Sequence, residues 1–385
     1  MDKAQEARLE PGAFSGGIPV KVYLIGIAVY AVVLGVMSRR AGGISQISDV
    51  WPLLLAAMVL GLGSNYLRRR VSAGLLMAGI GVYSLVLGLV LWRNGGFIEA
   101  DRFWIFLLFA AIVIGQARTF LRDWLPFVAV LFGWQLLRGY ADQAAEGRGF
   151  PLHNADLVAA ERALFGGQLP TIWLQERLFD PEMIRWYDVV ATTFWSFHFV
   201  LALLFAFMLW LRDRALYWRF VYALLALSFA GFATYVVFPA VPPWLAARTG
   251  TINETVWMVR DEVFRAWGWG ANVSYVMEYG NPNIVAAMPS LHAAYPTLVF
   301  LFCLHFWRRL APFALLYCFG LWFSIVYVGD HYVIDAIAGA VYAAVAFYAL
   351  EAFWKYLAAR RARTHTELEA QPATVVVRRD AEPEA

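Results

Sequence analysis

The sequence predicts an all-α, polytopic integral membrane protein with about ten transmembrane helices. Of its 385 residues, 61% are hydrophobic, 17% are aromatic and only 15% are charged. Soluble domains average about 25% charged residues, so this composition is typical of a chain that folds within a bilayer. The formal net charge is only +3 and the basic residues cluster at the ends of apolar runs. That pattern sets membrane topology and argues against a nucleic-acid-binding surface.

Ten apolar runs give the helix count. Crossing a bilayer takes about 20 residues in a helix, and about 17 is near the lower limit. The run at 51–67 is therefore short and could lie in the membrane interface instead. The runs lie at about 20–38, 51–67, 73–92, 103–120, 124–139, 187–211, 217–239, 290–307, 311–329 and 332–354.

Basic clusters between the runs predict which ends face the cytoplasm. If all ten runs are helices, these clusters fall at alternating ends, which places both termini in the cytoplasm. The long connections 140–186 and 240–289 then face outward, and their aromatic and charged residues predict structured segments at the headgroup level. Arg39 and Arg40 fall on the opposite side. The clusters are Arg68-Arg69-Arg70, Arg118 with Arg122, Arg212 with Arg214 and Arg219, Arg308-Arg309, and Arg360-Arg361 with Arg363.

The stretch that carries chemistry runs from 289 to 335 and is otherwise almost entirely apolar. A charged side chain at the centre of a bilayer costs about 2.5–3.5 kcal/mol on insertion scales, so His292, His331 and Asp335 need a reason. His331 and Asp335 are four residues apart and therefore share a helix face. His292 precedes His331 by 39 residues, which allows one span, a turn and one span back. All three side chains can then meet at one membrane surface.

These residues suit phosphate chemistry. Ser290 is a good N-cap after Pro289, and a helix N-terminus with free N–H groups and a partial positive charge favours a bound phosphate. His292 lies in that first turn, and His331 opens the last helix in the same way. A carboxylate at Asp335 can fix the tautomer of His331 and leave its other ring nitrogen as a nucleophile. A zinc site and a purely structural trio are the alternatives, but no further His or Cys nearby would complete a zinc shell.

The Pro-Ser-Leu-His run at 289–292 resembles the second signature, PSxH, of the type 2 phosphatidic acid phosphatase superfamily. The run from Ser324 to Asp335 is similar to its third signature, SRxxxxxHxxxD, with Ser324, His331 and Asp335 in register. The resemblance implies that His331 attacks phosphorus, Asp335 orients it and His292 protonates the leaving oxygen, without a metal or other cofactor. It also implies a six-helix catalytic core from about 124 to 354.

Two departures from the family pattern concern basic residues. Ile325 stands where the third signature has its phosphate-binding Arg, and the first signature, KxxxxxxRP, is not present. The inositolphosphorylceramide synthase and sphingomyelin synthase branches also lack the full basic set. The runs 286–293 and 330–335 look closest to the inositolphosphoryl-transferring branch. Fewer cations suit a phosphodiester, which carries one negative charge, better than a phosphomonoester, which carries nearly two.

Substrate-binding residues are predicted around the triad. Arg138 is the best basic partner, because it ends the run at 124–139 on the outer side, roughly where the first signature would fall. Ser290, Tyr327 and Tyr332 are further candidates, although packing is the alternative for the two tyrosines. Weaker basic candidates on the outer connections are Arg162, Arg248, Arg260 and Arg265.

The predicted function is transfer of a phospho-headgroup from a lipid donor to a hydroxyl acceptor through a phosphohistidine. A lipid-phosphate or polyprenyl-diphosphate phosphatase is the first alternative, and a non-catalytic lipid-binding or transport protein is the second. The predicted partners are a phospholipid or polyprenyl-phosphate substrate and membrane lipids, in the plasma membrane with an outward site or in an organelle with a lumenal one. The predicted segments are a polar tail at 1–19, transmembrane helices at 20–122, the catalytic membrane domain at 123–357 and a disordered cytoplasmic tail at 358–385.

Overall fold

The structure is a computed structural model that describes residues 104–138, 147, 149–267 and 283–369. Within these ranges the chain is mostly helical and forms no strand, as the sequence predicts. The runs predicted at 20–38, 51–67 and 73–92 lie outside the described residues. The helices are α1 (Trp104–Val113), α2 (Ala117–Arg138), α3 (Ala155–Leu164), α4 (Pro170–Leu178), α5 (Trp186–Arg212), α6 (Arg214–Val237), α7 (Pro243–Arg248), α8 (Val259–Ala266), α9 (Leu291–Phe306), α10 (Ala311–Tyr327) and α11 (Val333–Glu369).

The apolar runs in the second half of the chain are all helices. Among the described residues, α5, α6 and the part of α11 from Val333 to Arg360 are long and apolar enough to cross a membrane. The apolar helices α9 and α10 are shorter, at 16 and 17 residues. The predicted runs at 187–211, 217–239, 290–307, 311–329 and 332–354 are therefore confirmed as helices.

The boundary between α1 and α2 differs from the prediction. The sequence places a break near Arg122 and Asp123, but the chain turns at Gly115, which has a φ of 76°, and α2 then continues unbroken to Arg138. A charge can lie inside this helix because it is paired. Asp123 is buried and accepts hydrogen bonds from Trp210 Nε1 at 3.0 Å and Arg214 at 2.7 Å. The predicted domain boundary at residue 123 thus falls inside α2.

The C-terminal helix is longer than predicted. Residues 358–369 belong to α11, although their sequence predicts part of a disordered tail. Ala, Arg, Leu and Glu fill most of this segment, and these residues have high helix propensity. The first helix-breaking residue after it is Pro372, beyond the described residues. The apolar run therefore ends before the helix does.

The two ends of the bundle have different chemistry. At one end Arg219 of α6 pairs with Glu351 of α11, and Arg212 lies 5.9 Å from the Trp307 ring. His292 and His331 lie at the opposite end, where α9 begins and α10 ends. The long connections meet at that same end, because His153 and Ala240 form a bridge and Ala240 and Ala286 form another. The basic clusters and the histidines therefore occupy opposite ends of these helices.

Candidate active site

The structure brings together all three predicted catalytic residues. His292 lies in the first turn of α9, His331 lies just before α11, and Asp335 lies in the first turn of α11. His331 Nε2 is 3.2 Å from His292 Nδ1, and His331 Nδ1 is 3.5 Å from Asp335 Oδ2. His331 therefore lies between the carboxylate and the second imidazole. Among the described residues, no group of three His, Cys, Asp or Glu side chains is arranged to hold a metal ion.

The contacts of His331 indicate which nitrogen carries its proton. A carboxylate only accepts hydrogen bonds, so the nitrogen facing Asp335 is the protonated Nδ1. In a neutral ring the Nε2 then has a free lone pair, and the hydrogen bond at 3.2 Å is donated by His292 Nδ1–H. At 3.5 Å from Asp335, His331 Nδ1 makes no hydrogen bond among the described residues, and separations of this kind often tighten when substrate binds. In this arrangement the lone pair of His331 Nε2 and the hydrogen on His292 Nδ1 face each other.

Asp335 is held by the N-terminus of its own helix. Its Oδ2 accepts a hydrogen bond of 2.9 Å from the backbone N–H of Tyr332, which is the reach-back contact of a capping box. Its backbone carbonyl accepts 3.0 Å from the N–H of Ser290, so α11 is tied to the start of α9. The Asp335 side chain is fully buried. The Asp335 carboxylate is thus fixed by the contacts that join the start of α11 to the start of α9.

Ser290 serves as the predicted N-cap. Its side chain accepts a hydrogen bond of 3.3 Å from the N–H of Ala293, and the residue is fully buried. Pro289 precedes it, and the Pro289 carbonyl accepts from the hydroxyl of Tyr235 at 3.0 Å. The prediction that Ser290 is the N-cap of this helix is confirmed.

The start of α11 is already occupied by a carboxylate. Glu161 of α3 is fully buried and accepts hydrogen bonds from the backbone N–H groups of Val333 at 2.8 Å and Ile334 at 3.2 Å. The expectation that this N-terminus holds phosphate is therefore wrong, because its N–H groups are taken by a side chain from another helix. Burial raises the pKa of Glu161 above its ordinary value, and the charge of Asp335 adds to this rise while the two N–H groups oppose it.

We expect Glu161→Ala to lower the thermal unfolding midpoint and to slow turnover. Two N–H groups of α11 would lose their partner next to His331, and losing a helix cap typically costs about 0.5–2 kcal/mol. Because the Glu161 pKa is raised on folding, its contribution to stability falls as pH rises through the raised value. Glu176→Ala, on the exposed face of α4, is the control. Equal unfolding midpoints for the two variants would contradict the capping role.

Arg260 provides a cation that the sequence analysis ranks low. It is buried, and it pairs with Asp330, the residue before His331, and with Asp261 at 3.2 Å. Burial disfavours its charge, but the two carboxylates outweigh burial and raise the pKa of Arg260 above its ordinary value. Its guanidinium lies 4.5 Å from the centroid of the Trp195 ring. Arg260 therefore fixes the turn that carries His331, and only the tertiary fold brings α8 to that turn.

The surroundings of Ile325 account for one departure from the family pattern, the missing arginine of the third signature. The residue is fully buried, and it belongs to an apolar cluster with Ala293, Leu321, Val326 and Ala336. Its backbone carbonyl accepts from the N–H groups of the two residues at 330 and 331, at 3.1 and 3.2 Å. An arginine side chain at this position would point into apolar packing. The position serves the turn before His331 through its backbone.

Two residues of α5 pack against His292 and are absent from the predicted site. The ring centroid of His198 is 4.0 Å from that of His292, and the Trp195 centroid is 5.8 Å away with planes inclined by 22°. A histidine inside the apolar run at 187–211 is itself a signal, since ionisable residues within membrane spans usually have a function. Its place beside His292 follows only from the packing of α5 on α9.

Arg138 lies at the end of α2 with its guanidinium 5.4 Å from the centroid of the Trp134 ring, and its positive charge acts electrostatically on His198 and His292. The weaker basic candidates, apart from Arg260, have other contacts. Arg162 pairs with Glu254 at 2.8 Å, Arg265 with Glu262, and Arg248 lies over the Trp244 ring at 5.0 Å.

Both predicted tyrosines are buried. Tyr327 donates a hydrogen bond from its hydroxyl to Asp188, which ties α10 to α5. Gln175 of α4 donates to the Tyr327 carbonyl at 2.8 Å and exchanges two further hydrogen bonds with the backbone of Trp257. The hydroxyl of Tyr332 has no hydrogen-bond partner among the described residues. Tyr327 therefore has a structural contact, whereas Tyr332 is buried without one for its hydroxyl in the described part of the chain.

Two known proteins are similar in sequence to part of this chain. A phosphoinositol dihydroceramide synthase of Bacteroides thetaiotaomicron is 30% identical over 204 residues, which cover 49% of this chain and 64% of that protein. The inositol phosphorylceramide synthase catalytic subunit of Saccharomyces cerevisiae is 29% identical over 119 residues, which cover 29% of this chain and 28% of that protein. The chain thus spans less than two thirds of each relative's length. No solved structure matches it.

The sequence profile of the PAP2 superfamily matches residues 155–349. This match includes residues 155–186 of the first long connection, the whole of the connection 240–289, the helices α5 to α10 and the part of α11 that carries Asp335. It encloses His292, His331 and Asp335, whose signatures resemble those of the superfamily. The chain belongs to the PAP2 superfamily.

Proposed function

We propose that this membrane protein transfers a phosphorylated headgroup, of the phosphoinositol class, from a phospholipid donor to a hydroxyl acceptor. The observation that carries the proposal is the position of His331 between Asp335 at one ring nitrogen and His292 at the other. The names of the two curated relatives support the phosphoinositol class and a ceramide-type acceptor. The intermediate is a phosphohistidine on His331.

In the first half-reaction the lone pair of His331 Nε2 attacks the phosphorus of the donor. The bond from phosphorus to the diacylglycerol oxygen breaks, and its electron pair stays on that oxygen, which takes a proton from His292. The Asp335 carboxylate stabilises the positive charge that develops on the His331 ring. In the second half-reaction the acceptor hydroxyl gives its proton to His292 and attacks phosphorus. The phosphorus–nitrogen bond then breaks and returns its electron pair to His331.

The direct contact between the two imidazoles must open before this reaction. A nucleophile stands about 3–3.5 Å from the atom that it attacks, and an acid stands about 2.6–3.2 Å from the oxygen that it protonates. With in-line displacement the two nitrogens lie on opposite sides of phosphorus, so 3.2 Å between them leaves no room for the phosphoryl group. We propose that the substrate phosphate separates His292 from His331.

The charges around the histidines favour a phosphodiester over a phosphomonoester. The positive charge of Arg260 is matched by Asp330 and Asp261, and Ile325 supplies no cation. A phosphomonoester carries nearly two negative charges and would need more basic groups. A phospholipid diester carries one. The proposed contacts to the phosphate are Arg138 and the Tyr332 hydroxyl, for which the described part of the chain supplies no hydrogen-bond partner. Ser290 and Tyr327, both buried, support the walls of the site.

The deciding experiment incubates the purified protein with head-group-labelled phosphatidylinositol, with and without ceramide. Labelled inositolphosphorylceramide that forms only when ceramide is present supports transfer. Labelled inositol phosphate formed without ceramide would instead identify water as the acceptor and favour a hydrolase. Conversion of a labelled lipid phosphomonoester or polyprenyl diphosphate, with no conversion of phosphatidylinositol, would favour the phosphatase alternative. Binding without any product would favour the non-catalytic alternative.

We expect Arg138→Ala to lower kcat/KM while leaving the protein folded. Charge-assisted hydrogen bonds contribute about 1.5–3 kcal/mol, which corresponds to a loss of about 10- to 100-fold. Lysine at this position should recover only part of the lost kcat/KM, because it lacks the planar guanidinium that can bind two phosphate oxygens at once. Arg177→Ala is the matched control, since Arg177 lies over the Trp173 ring on the exposed face of α4. Wild-type kinetics in Arg138→Ala would remove it from the site.

We also propose a six-helix catalytic core from about 124 to 354 and a triad that faces away from the cytoplasm. Single cysteines replacing Thr255, in the outer connection, and Thr366, near the end of α11, test the orientation. Both native cysteines are buried, which limits background labelling. On intact cells an impermeant thiol reagent should label position 255 and not position 366. Labelling of position 366 alone would move the triad to the cytoplasmic side.

A further inference from the structure

His198 is a third histidine beside the proposed general acid, and the mechanism above does not use it. It lies on α5, outside both signature runs, and its ring centroid is 4.0 Å from that of His292 with planes inclined by 44°. The three imidazoles form a contiguous group, because the His292 and His331 centroids are 5.2 Å apart. His292 is the central ring of this group.

The orientation of His198 is fixed by its own helix. Its Nδ1 is 2.7 Å from the backbone carbonyl oxygen of Trp195. A carbonyl only accepts, so Nδ1 carries the hydrogen and, in a neutral ring, Nε2 carries a lone pair. Trp195 itself packs against His292, and Arg260 lies over its ring. The α5 residues therefore present a defined surface to His292.

The charged and titratable groups around His198 come from several elements. Arg138 of α2 and His331, before α11, act on it electrostatically, and His292 of α9 is in ring contact. Arg260 of α8 acts on His292 as well. A positive charge on His198 would be added to those of Arg138 and Arg260, which like-charge repulsion disfavours.

We propose that His198 is a positioning residue that holds the imidazole of His292 for proton transfer to the leaving oxygen. When the substrate phosphate separates His292 from His331, the ring loses its 3.2 Å hydrogen bond. The ring contacts that remain are those with His198 and Trp195. These contacts then decide where the His292 proton points. The inference rests on the proposed function, in which His292 is the general acid.

The test compares two donors with different leaving groups. Phosphatidylinositol has an alkoxide leaving group that needs a proton, whereas bis(4-nitrophenyl) phosphate releases a stable anion that does not. His198→Asn should lower kcat with phosphatidylinositol by about 10-fold or more, part of the general-acid factor, while turnover of the nitrophenyl diester stays within about twofold. His198→Phe should recover part of the loss, because it keeps a ring against His292. Added to His292→Ala, His198→Asn should cause no further loss.

His305→Asn is the matched control. His305 also bonds the backbone of its helix, with Nδ1 2.9 Å from the Leu301 carbonyl, and its ring packs against Phe347 and away from the triad. It should leave both donors unaffected. Equal losses of His198→Asn with both donors, an additive loss with His292→Ala, or no loss at all would each overturn the positioning role.

A second measurement separates this inference from the proposed function. If the wild-type protein turns over neither donor, the proposed function fails. The contact between His198 and His292 can still be tested by NMR of the isotope-labelled imidazole rings. The His292 signals and the midpoint of their titration should move in His198→Asn and stay unchanged in His305→Asn, because the His198 ring contacts His292 whereas the His305 ring packs on Phe347. Unchanged His292 signals in both variants would overturn the inference without reference to activity.

Discussion

Replacing His331 with alanine is expected to abolish both turnover and the covalent intermediate. No other described side chain places a nitrogen between Asp335 and His292, so no group can replace the attacking Nε2. Quenching the wild-type protein during turnover should yield an acid-labile, base-stable phosphodiester adduct on a single peptide that contains His331. The measurement is peptide mapping of the adduct together with product formation.

Two variants sharpen this expectation. Asp335 Oδ2 both accepts from the Tyr332 N–H and faces His331 Nδ1, so Asp335→Asn can keep both contacts through its amide oxygen; it loses the negative charge that stabilises the positive His331 ring, and turnover should fall while the fold is retained. His292→Ala should lose about 10²–10⁴-fold with lipid donors and still form the adduct with a donor whose leaving group needs no proton. An adduct on His292 would reverse the two roles. Activity that requires an added divalent metal and forms no adduct would favour the zinc alternative.

Gly339→Ala adds only one methyl group, but it is expected to lower turnover strongly. A Cβ at this position of α11 would lie 2.2 Å from the Ser290 carbonyl oxygen and 3.1 Å from its carbonyl carbon. These are backbone atoms, so α9 and α11 would have to separate, and the Ser290 N–H to Asp335 carbonyl bond of 3.0 Å would break. That shift displaces His292 from His331, and a misplacement of about 1 Å can lower turnover about 10²-fold. Thermal unfolding and turnover should both fall.

Gly231→Ala is the matched control for this helix glycine. A Cβ there would meet the end of the Leu291 side chain at 3.1 Å, which can adjust by a change of rotamer. It should therefore affect stability and turnover far less than Gly339→Ala. Wild-type stability and turnover in Gly339→Ala would show that the close approach of α9 and α11 does not position the histidines.

Much of the fold could be predicted because the apolar length and flanking charges that mark a membrane helix lie within its own stretch of sequence. Apolar length and flanking charge predict α5, α6 and α9 to α11, and each of these helices is confirmed. The same reasoning fails at Asp123, because hydropathy treats a charge as a break. Its partners Trp210 and Arg214 are about 90 residues away in sequence, and they let α2 continue. Pairing across helices is not visible in a local pattern.

The sequence by itself determined the membrane class, the helix start at Ser290 and the His331–Asp335 face, since each depends on residues within one or two turns. Only the tertiary structure decided which groups surround that face. Glu161 takes the N-terminus of α11, Arg260 fixes the turn at Asp330, and His198 packs on His292. These contacts join residues 70 to 172 positions apart, or helices that have no sequence signal for adjacency. Which residues meet in this way depends on packing geometry and on the burial of charge, and neither can be seen in a local pattern of residues.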